Sequence, residues 1–185
     1  MRDPSLVALL ALAGAAAGQA HDQHGPGGHV APSPYAGWQD RPVKALSAEQ
    51  TADLRAGRGM ALALPAELNG YPGPMHALDL AGPLGLTPVQ EGALREAVAQ
   101  MRADAVRLGE QVIAAEAALD ALFAESRATP SAVQAASRVA AAAWAQLRAA
   151  HMAAHIVTRD ILTPEQVRHY AALRGHAPVL PSPPR

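Results

Sequence analysis

The 185-residue chain is predicted to be all-α, a long antiparallel helical hairpin with short flanking helices, and three observations carry the prediction. Half of the residues are hydrophobic, yet only 3% are aromatic, with one Phe, two Trp and three Tyr. That argues against a β-sandwich or barrel, whose strands are rich in aromatic and β-branched residues. The commonest apolar residue is alanine, the best helix former and small enough to let helices approach closely. Between Thr87 and Gly175, apolar residues recur at alternating spacings of three and four, the seam of long helices crossing at a shallow angle.

Composition also narrows the function. A formal net charge of −1 gives no electrostatic basis for a nucleic-acid partner, which needs a clustered basic face. The absence of cysteine excludes disulfides, Cys-ligated zinc, iron–sulfur clusters and thiol catalysis.

The elements follow in order. Residues 6–17 are an apolar stretch preceded by Arg2 and followed by Gly18-Gln19-Ala20, a small-x-small site for signal peptidase. As a helix this stretch spans about 18 Å, short of a ~30 Å hydrocarbon core, so residues 1–20 read as a cleaved secretory signal rather than a stable membrane anchor. The mature protein is then expected to work outside the cytoplasm, where ATP is not available to it. Residues 21–43 are rich in His, Gly and Pro without periodicity and are expected to form a disordered arm. Residues 44–85 read as short helices and Pro/Gly-rich loops. Ser47 and Gln50 form a capping box opening a helix that runs to Gly57 and Gly59, and a one- or two-turn helix is expected near residues 75–80.

Residues 86–176 are the expected hairpin domain. Thr87 is the N-cap, Pro88 the first helical residue and Gln90 the return partner of a box. The seam Leu94, Val98, Met101, Ala105, Leu108, Val112, Ala115, Leu119 and Leu122 extends this helix to about residue 126. Thr129-Pro130 starts a second helix with the seam Val133, Ala136, Ala140, Ala143, Leu147, Ala150, Ala154, Val157 and Ile161. A connection this short makes the two helices antiparallel neighbours. Thr163-Pro164-Glu165-Gln166 caps a third helix, with Leu162 and Val167 as a hydrophobic staple and Gly175 as its stop. Residues 177–185, rich in proline, are expected to be a disordered tail.

Leu86-Thr87-Pro88-Val89-Gln90 and Leu162-Thr163-Pro164-Glu165-Gln166 are one pattern, Leu-Thr-Pro-x-Gln, placed at two helix starts and separated by the hairpin. With export, no cysteine and a helical composition, this resembles the Spy/CpxP family of periplasmic proteins and its heavy-metal-sensing relatives. Only Leu86, Thr87, Gln90, Leu162, Thr163 and Gln166 carry the match. The resemblance implies a small all-α protein, usually a homodimer whose hairpins form a curved cradle. It implies one of two activities: an ATP-independent chaperone for unfolded or stress-damaged periplasmic proteins, or a metal-responsive regulator of envelope stress and metal resistance that signals to a membrane-bound sensor.

For the chaperone, a broad apolar surface with adaptable polar edges is required. The second arm carries Arg138, Arg148, Arg159, Arg168 and Arg174 against Asp160 and Glu165, whereas the first arm is acidic. Arg138, Trp144, Arg148, Met152, Ile156 and Arg159 are therefore the candidate client contacts. For the metal protein, His151 and His155 lie four residues apart on one helix face, a spacing that brings two imidazoles to one ion, with Met152 as a nearby soft ligand type. His169, His176 or the arm residues His21, His24 and His29 would complete the set. Zinc or copper is the expected ion, though the chaperone activity requires no cofactor. If cleavage follows Ala20, the His21 amine and imidazole form a chelate of their own. No nucleophile elbow, phosphate-cradling glycine loop or His-Glu-x-x-His is present, so no enzyme is expected.

Overall fold

Three Ser/Thr-x-x-Gln boxes set three helix starts in the computed structural model, which describes residues 33–176. Ser47 accepts from the Gln50 N–H and the Gln50 side chain accepts from the Ser47 N–H, opening α1 (Ala48–Ala56); Gly57 closes it at φ 65°. Two Pro-led turns, α2 (Leu64–Glu67) and α3 (Pro74–Asp79), and a further turn, α4 (Ala81–Leu84), occupy the apolar, Pro/Gly-broken stretch. Thr87 and Gln90 form the second box, ahead of the 37-residue α5 (Pro88–Ala124). Thr129 caps α6 (Pro130–Ile161), and Thr163 with Gln166 completes the third box at α7 (Pro164–Leu173). The all-α prediction holds, with no strand among the described residues. None of the described helices is long and apolar enough to cross a membrane.

The segment read as a signal, the arm histidines His21, His24 and His29, and the tail lie outside the described residues. Residues 33–36 fall in a separate N-terminal unit, Met1–Ala36, and close a turn through the Ala36 N–H and the Ser33 carbonyl. The expected disordered arm reached residue 43, but its last part is folded. Residues Trp38–Asp40 form a 3-10 turn, the Arg41 guanidinium lies 3.6 Å over the Trp38 ring, and Val43 and Leu46 are buried. Apolar anchors just beyond a Pro/Gly-rich run are worth about 1.5–3 kcal/mol each when covered, enough to fix the segment behind them.

α5 and α6 pack along most of their length as the antiparallel pair the short connection requires. Their core joins Leu108, Val112 and Ala115 of α5 to Ala140, Ala143 and Leu147 of α6, and α1 adds Leu54 to the same cluster. Large side chains on one helix thus face alanines on the other. A second cluster at the open end of the hairpin gathers Ala77, Leu84, Leu94, Leu162 and Tyr170, with the staple residue Val167 against it.

The predicted seam of α6 needs one correction. Past Leu147 the buried positions are His151, Ala154, His155 and Thr158, while Val157 is 46% exposed. A strict three-and-four alternation describes contact with a single partner helix. Here α2 and α3 also pack on this half of α6, so the buried stripe widens and turns toward the histidines. A straight helix drifts by about 20° per heptad, which adds to the turn.

The two Leu-Thr-Pro-x-Gln copies touch. Gln90 Nε2 donates to Gln166 Oε1 at 2.8 Å and to the Ile161 carbonyl at 3.0 Å, while Gln166 Nε2 donates to Gln90 Oε1 at 3.2 Å and to the Leu84 carbonyl at 3.3 Å. Each glutamine caps its own helix and holds the other's. The repeated motif is therefore the lock that fixes the start of α5 against the junction of α6 and α7, satisfying carbonyls that a helix end leaves unpaired.

Candidate functional site

A cavity of about 800 Å³ is lined from α6 by His151 and His155 and from α5 by Val98 and Met101. The end of α1 and the loop after it, α2, the first turn of α3 and the residues just past α7 supply the remaining walls. The sequence placed the two histidines on one helical face, and both are buried there, His151 to 2% exposure.

Glu67, the last residue of α2, also lines the cavity and is 9% exposed. A carboxylate in that position needs partners, because removing an unpaired charge from water costs several kcal/mol. Tyr170 Oη donates to Glu67 Oε1 at 2.6 Å, and the Gly73 N–H donates to Oε2 at 3.1 Å. Arg174 Nε stands 3.5 Å from Oε1, with His155 Nδ1 3.6 Å from Oε2 and His176 Nδ1 3.7 Å from Oε1. Burial, then the hydrogen bond to Glu67 and its negative charge, push the Tyr170 phenol well above its ordinary value. Tyr170 therefore stays a donor throughout the physiological range.

His155 Nδ1 lies 2.8 Å from the Tyr71 carbonyl. A carbonyl only accepts, so Nδ1 carries the proton and Nε2 of a neutral ring is left as a lone-pair donor. Many metal-binding histidines are oriented this way, by an N–H to a backbone carbonyl on the far ring nitrogen. Gly73 stands against the other side of the ring: a Cβ there would lie 3.1 Å from His155 Cε1 and 3.3 Å from Nε2. His151 Nε2 is buried without a hydrogen-bond partner, and so is His176 Nδ1. Burial, and then the neighbouring His155, hold His151 below its ordinary value. Its ring is neutral at pH 7 and available as a ligand.

No group of three or more His, Asp or Glu side chains among the described residues is arranged to hold a metal ion. His176 reaches the Glu67 cluster, whereas His169 is exposed and lines a separate shallow depression beside Gln166. Glu67 and Tyr170 were not among the sequence candidates. Glu67 was signalled only as one of two carboxylates in the otherwise apolar residues 60–85, the other being Asp79.

The candidate client residues fall into two groups. Arg138, Arg148, Ile156 and Arg159 are exposed and Met152 is half-buried, all on the flank of α6 turned away from the seam. The Arg159 guanidinium rests 4.2 Å over the Tyr71 ring. Trp144 instead packs against the core and donates from Nε1 to Glu116 at 2.9 Å.

Fold and site together define an all-α helical-hairpin protein with a carboxylate–imidazole cluster where α2, α6 and the end of α7 meet. Compared with family models, with curated proteins and with solved structures, the chain matches none.

Proposed function

We propose that this is an exported, metal-binding protein on a helical-hairpin scaffold of the Spy/CpxP type, in which His151 and His155 are the primary ligands for a transition-metal ion. One observation carries the reading: a buried, neutral imidazole with an unpartnered Nε2 stands one turn from a second imidazole whose Nε2 is freed by its bond to the Tyr71 carbonyl, both on the wall of one cavity. An unsatisfied buried nitrogen costs about 1–3 kcal/mol, a cost that binding an ion at that atom removes. Glu67 supplies negative charge next to the site. His155 also stands against Glu67 of α2, which Tyr170 of α7 holds, so occupancy is coupled to the packing of the short helices, which suits a sensor or a resistance protein.

A second reading, an ATP-independent chaperone, draws support from the basic outer flank of α6, where Ile156 is 52% exposed among Arg148 and Arg159. It loses the indole of Trp144 as a contact.

Calorimetric titration of the metal-free protein with Zn(II) and with Cu(II) separates the possibilities. The wild type is expected to bind one ion at the cavity, the His151→Ala/His155→Ala variant to lose that isotherm, and a His21→Ala/His24→Ala/His29→Ala variant to keep it. Binding by the His151/His155 variant equal to wild type would refute the metal reading. Absence of binding, together with slowed aggregation of a denatured client by the wild type, would put the chaperone in its place.

A further inference from the structure

The cavity that holds the histidines is also where the methionines gather. Of the four methionines among the described residues, Met60, Met75 and Met101 line it, and only Met152 does not. They come from three different elements: the loop between α1 and α2, the first turn of α3, and the middle of α5. Methionine ordinarily fills irregular gaps in a core, and two details oppose that role here. Met75 is 54% exposed, so burial does not account for it. Met60 sits at φ 44°, followed by Ala61 at φ 59°, a left-handed conformation that costs a side-chain-bearing residue about 1–2 kcal/mol. Glycine would take that backbone without strain, and Gly57 and Gly59 stand just before it.

Among the described residues no third His, Asp or Glu side chain is arranged to share an ion with the two histidines, whereas three thioethers line the same cavity. We infer that the cavity is a mixed thioether–imidazole site selective for a soft monovalent ion, Cu(I) or its analogue Ag(I), with His151 and His155 joined by sulfur from Met60, Met75 and Met101. This inference rests on the metal-binding reading and names its ion. Thioether sulfur is a soft, uncharged donor that prefers Cu(I) over Zn(II), and in a chain without cysteine it is the only sulfur available for the task. Coordination replaces the unpartnered state of His151 Nε2, and two or three neutral donors suffice for a monovalent ion where a divalent one would call for more.

The test uses the full chain and Cu(I) itself, delivered anaerobically under reducing conditions against a chromophoric Cu(I) chelator, with Zn(II) titrated in parallel. Wild type is compared with Met60→Leu/Met75→Leu/Met101→Leu and with His151→Ala/His155→Ala. Leucine keeps the volume and the helix, and circular dichroism confirms that each variant is folded. The methionine variant is expected to bind Cu(I) more weakly by more than about ten-fold, the size of loss common for an outer-shell partner alone, while its Zn(II) affinity is unchanged. X-ray absorption of the Cu(I)-loaded wild type should show sulfur in the first shell. Unaltered Cu(I) affinity in the methionine variant, or a shell of nitrogen and oxygen only, overturns the inference. In that event retained binding of either ion to wild type, lost in the histidine variant, leaves the metal reading standing, and no binding to wild type removes both.

Discussion

Gly109→Ala is expected to destabilise the protein by about 2–4 kcal/mol, even though it replaces the second-worst helix former by the best. At most about 1 kcal/mol is gained in helix propensity. Against this, a Cβ at Gly109 would lie 2.3 Å from the Leu54 carbonyl oxygen and 2.9 Å from its carbon. These are backbone atoms of α1 at its buried residue, Leu54, and no rotamer change moves them aside. Gly57 faces the same crossing, its added Cβ standing 3.1 Å from the Arg102 carbonyl, so α1 has no room to slide along α5. The helix must lift, opening the packing of Leu54 and of the buried Val43 and Leu46 before it. Gly92 on the same helix has nothing within 4 Å of a built Cβ. Gly92→Ala should therefore stabilise by up to about 1 kcal/mol. Chemical denaturation of the two variants checks the pair, and equal effects at both positions would show that close approach is not what Gly109 serves.

Glu67→Ala is the second large effect, an expected loss of about 3–5 kcal/mol. The change strips an acceptor from the buried Tyr170 hydroxyl and from the Gly73 N–H, and it leaves Arg174 without its carboxylate. α2 is a single turn with no side-chain cap, so the contacts of Glu67 with α7 and with the turn before α3 are what hold it. Tyr170→Phe removes one of these bonds and keeps the ring in its cluster, for a smaller loss of about 1–2 kcal/mol. Urea denaturation should rank the variants in that order. A neutral Glu67→Ala would mean that the carboxylate is no anchor for the cavity wall.

Much of this architecture could be read from the residues because it depends on local chemistry. The three boxes at Ser47, Thr87 and Thr163 form where Ser/Thr-x-x-Gln places them, and Gly57 and Gly175 stop their helices with positive φ. The His151/His155 pair is legible for the same reason: a helix fixes which side chains share a face. Glu67 is not legible. Its partners lie 6 to 109 residues away, from Gly73 to His176, and the short Pro-led turn that carries it has no periodicity to read. Residues 60–85 contain three short helices where a single helix of one or two turns was expected. The cross-link between Gln90 and Gln166 was likewise hidden, because a capping box accounts for each glutamine without the other. Val157, placed on the seam by a rule for two helices, is exposed because α2 and α3 make that end of α6 a meeting of more than two.

Thermal melting tests most directly whether the His151/His155 wall binds a metal ion in the folded state. An ion bound only by the native state at a free concentration near 100 Kd adds about 2.7 kcal/mol, which for a domain of this size raises Tm by about 5–10 °C. Such a rise is expected for the wild type with Cu(I), Cu(II) or Zn(II) and none for His151→Ala/His155→Ala, each melted with and without the ion. A wild type whose Tm ignores all three ions, or a histidine variant that shifts as far as the wild type, would contradict it.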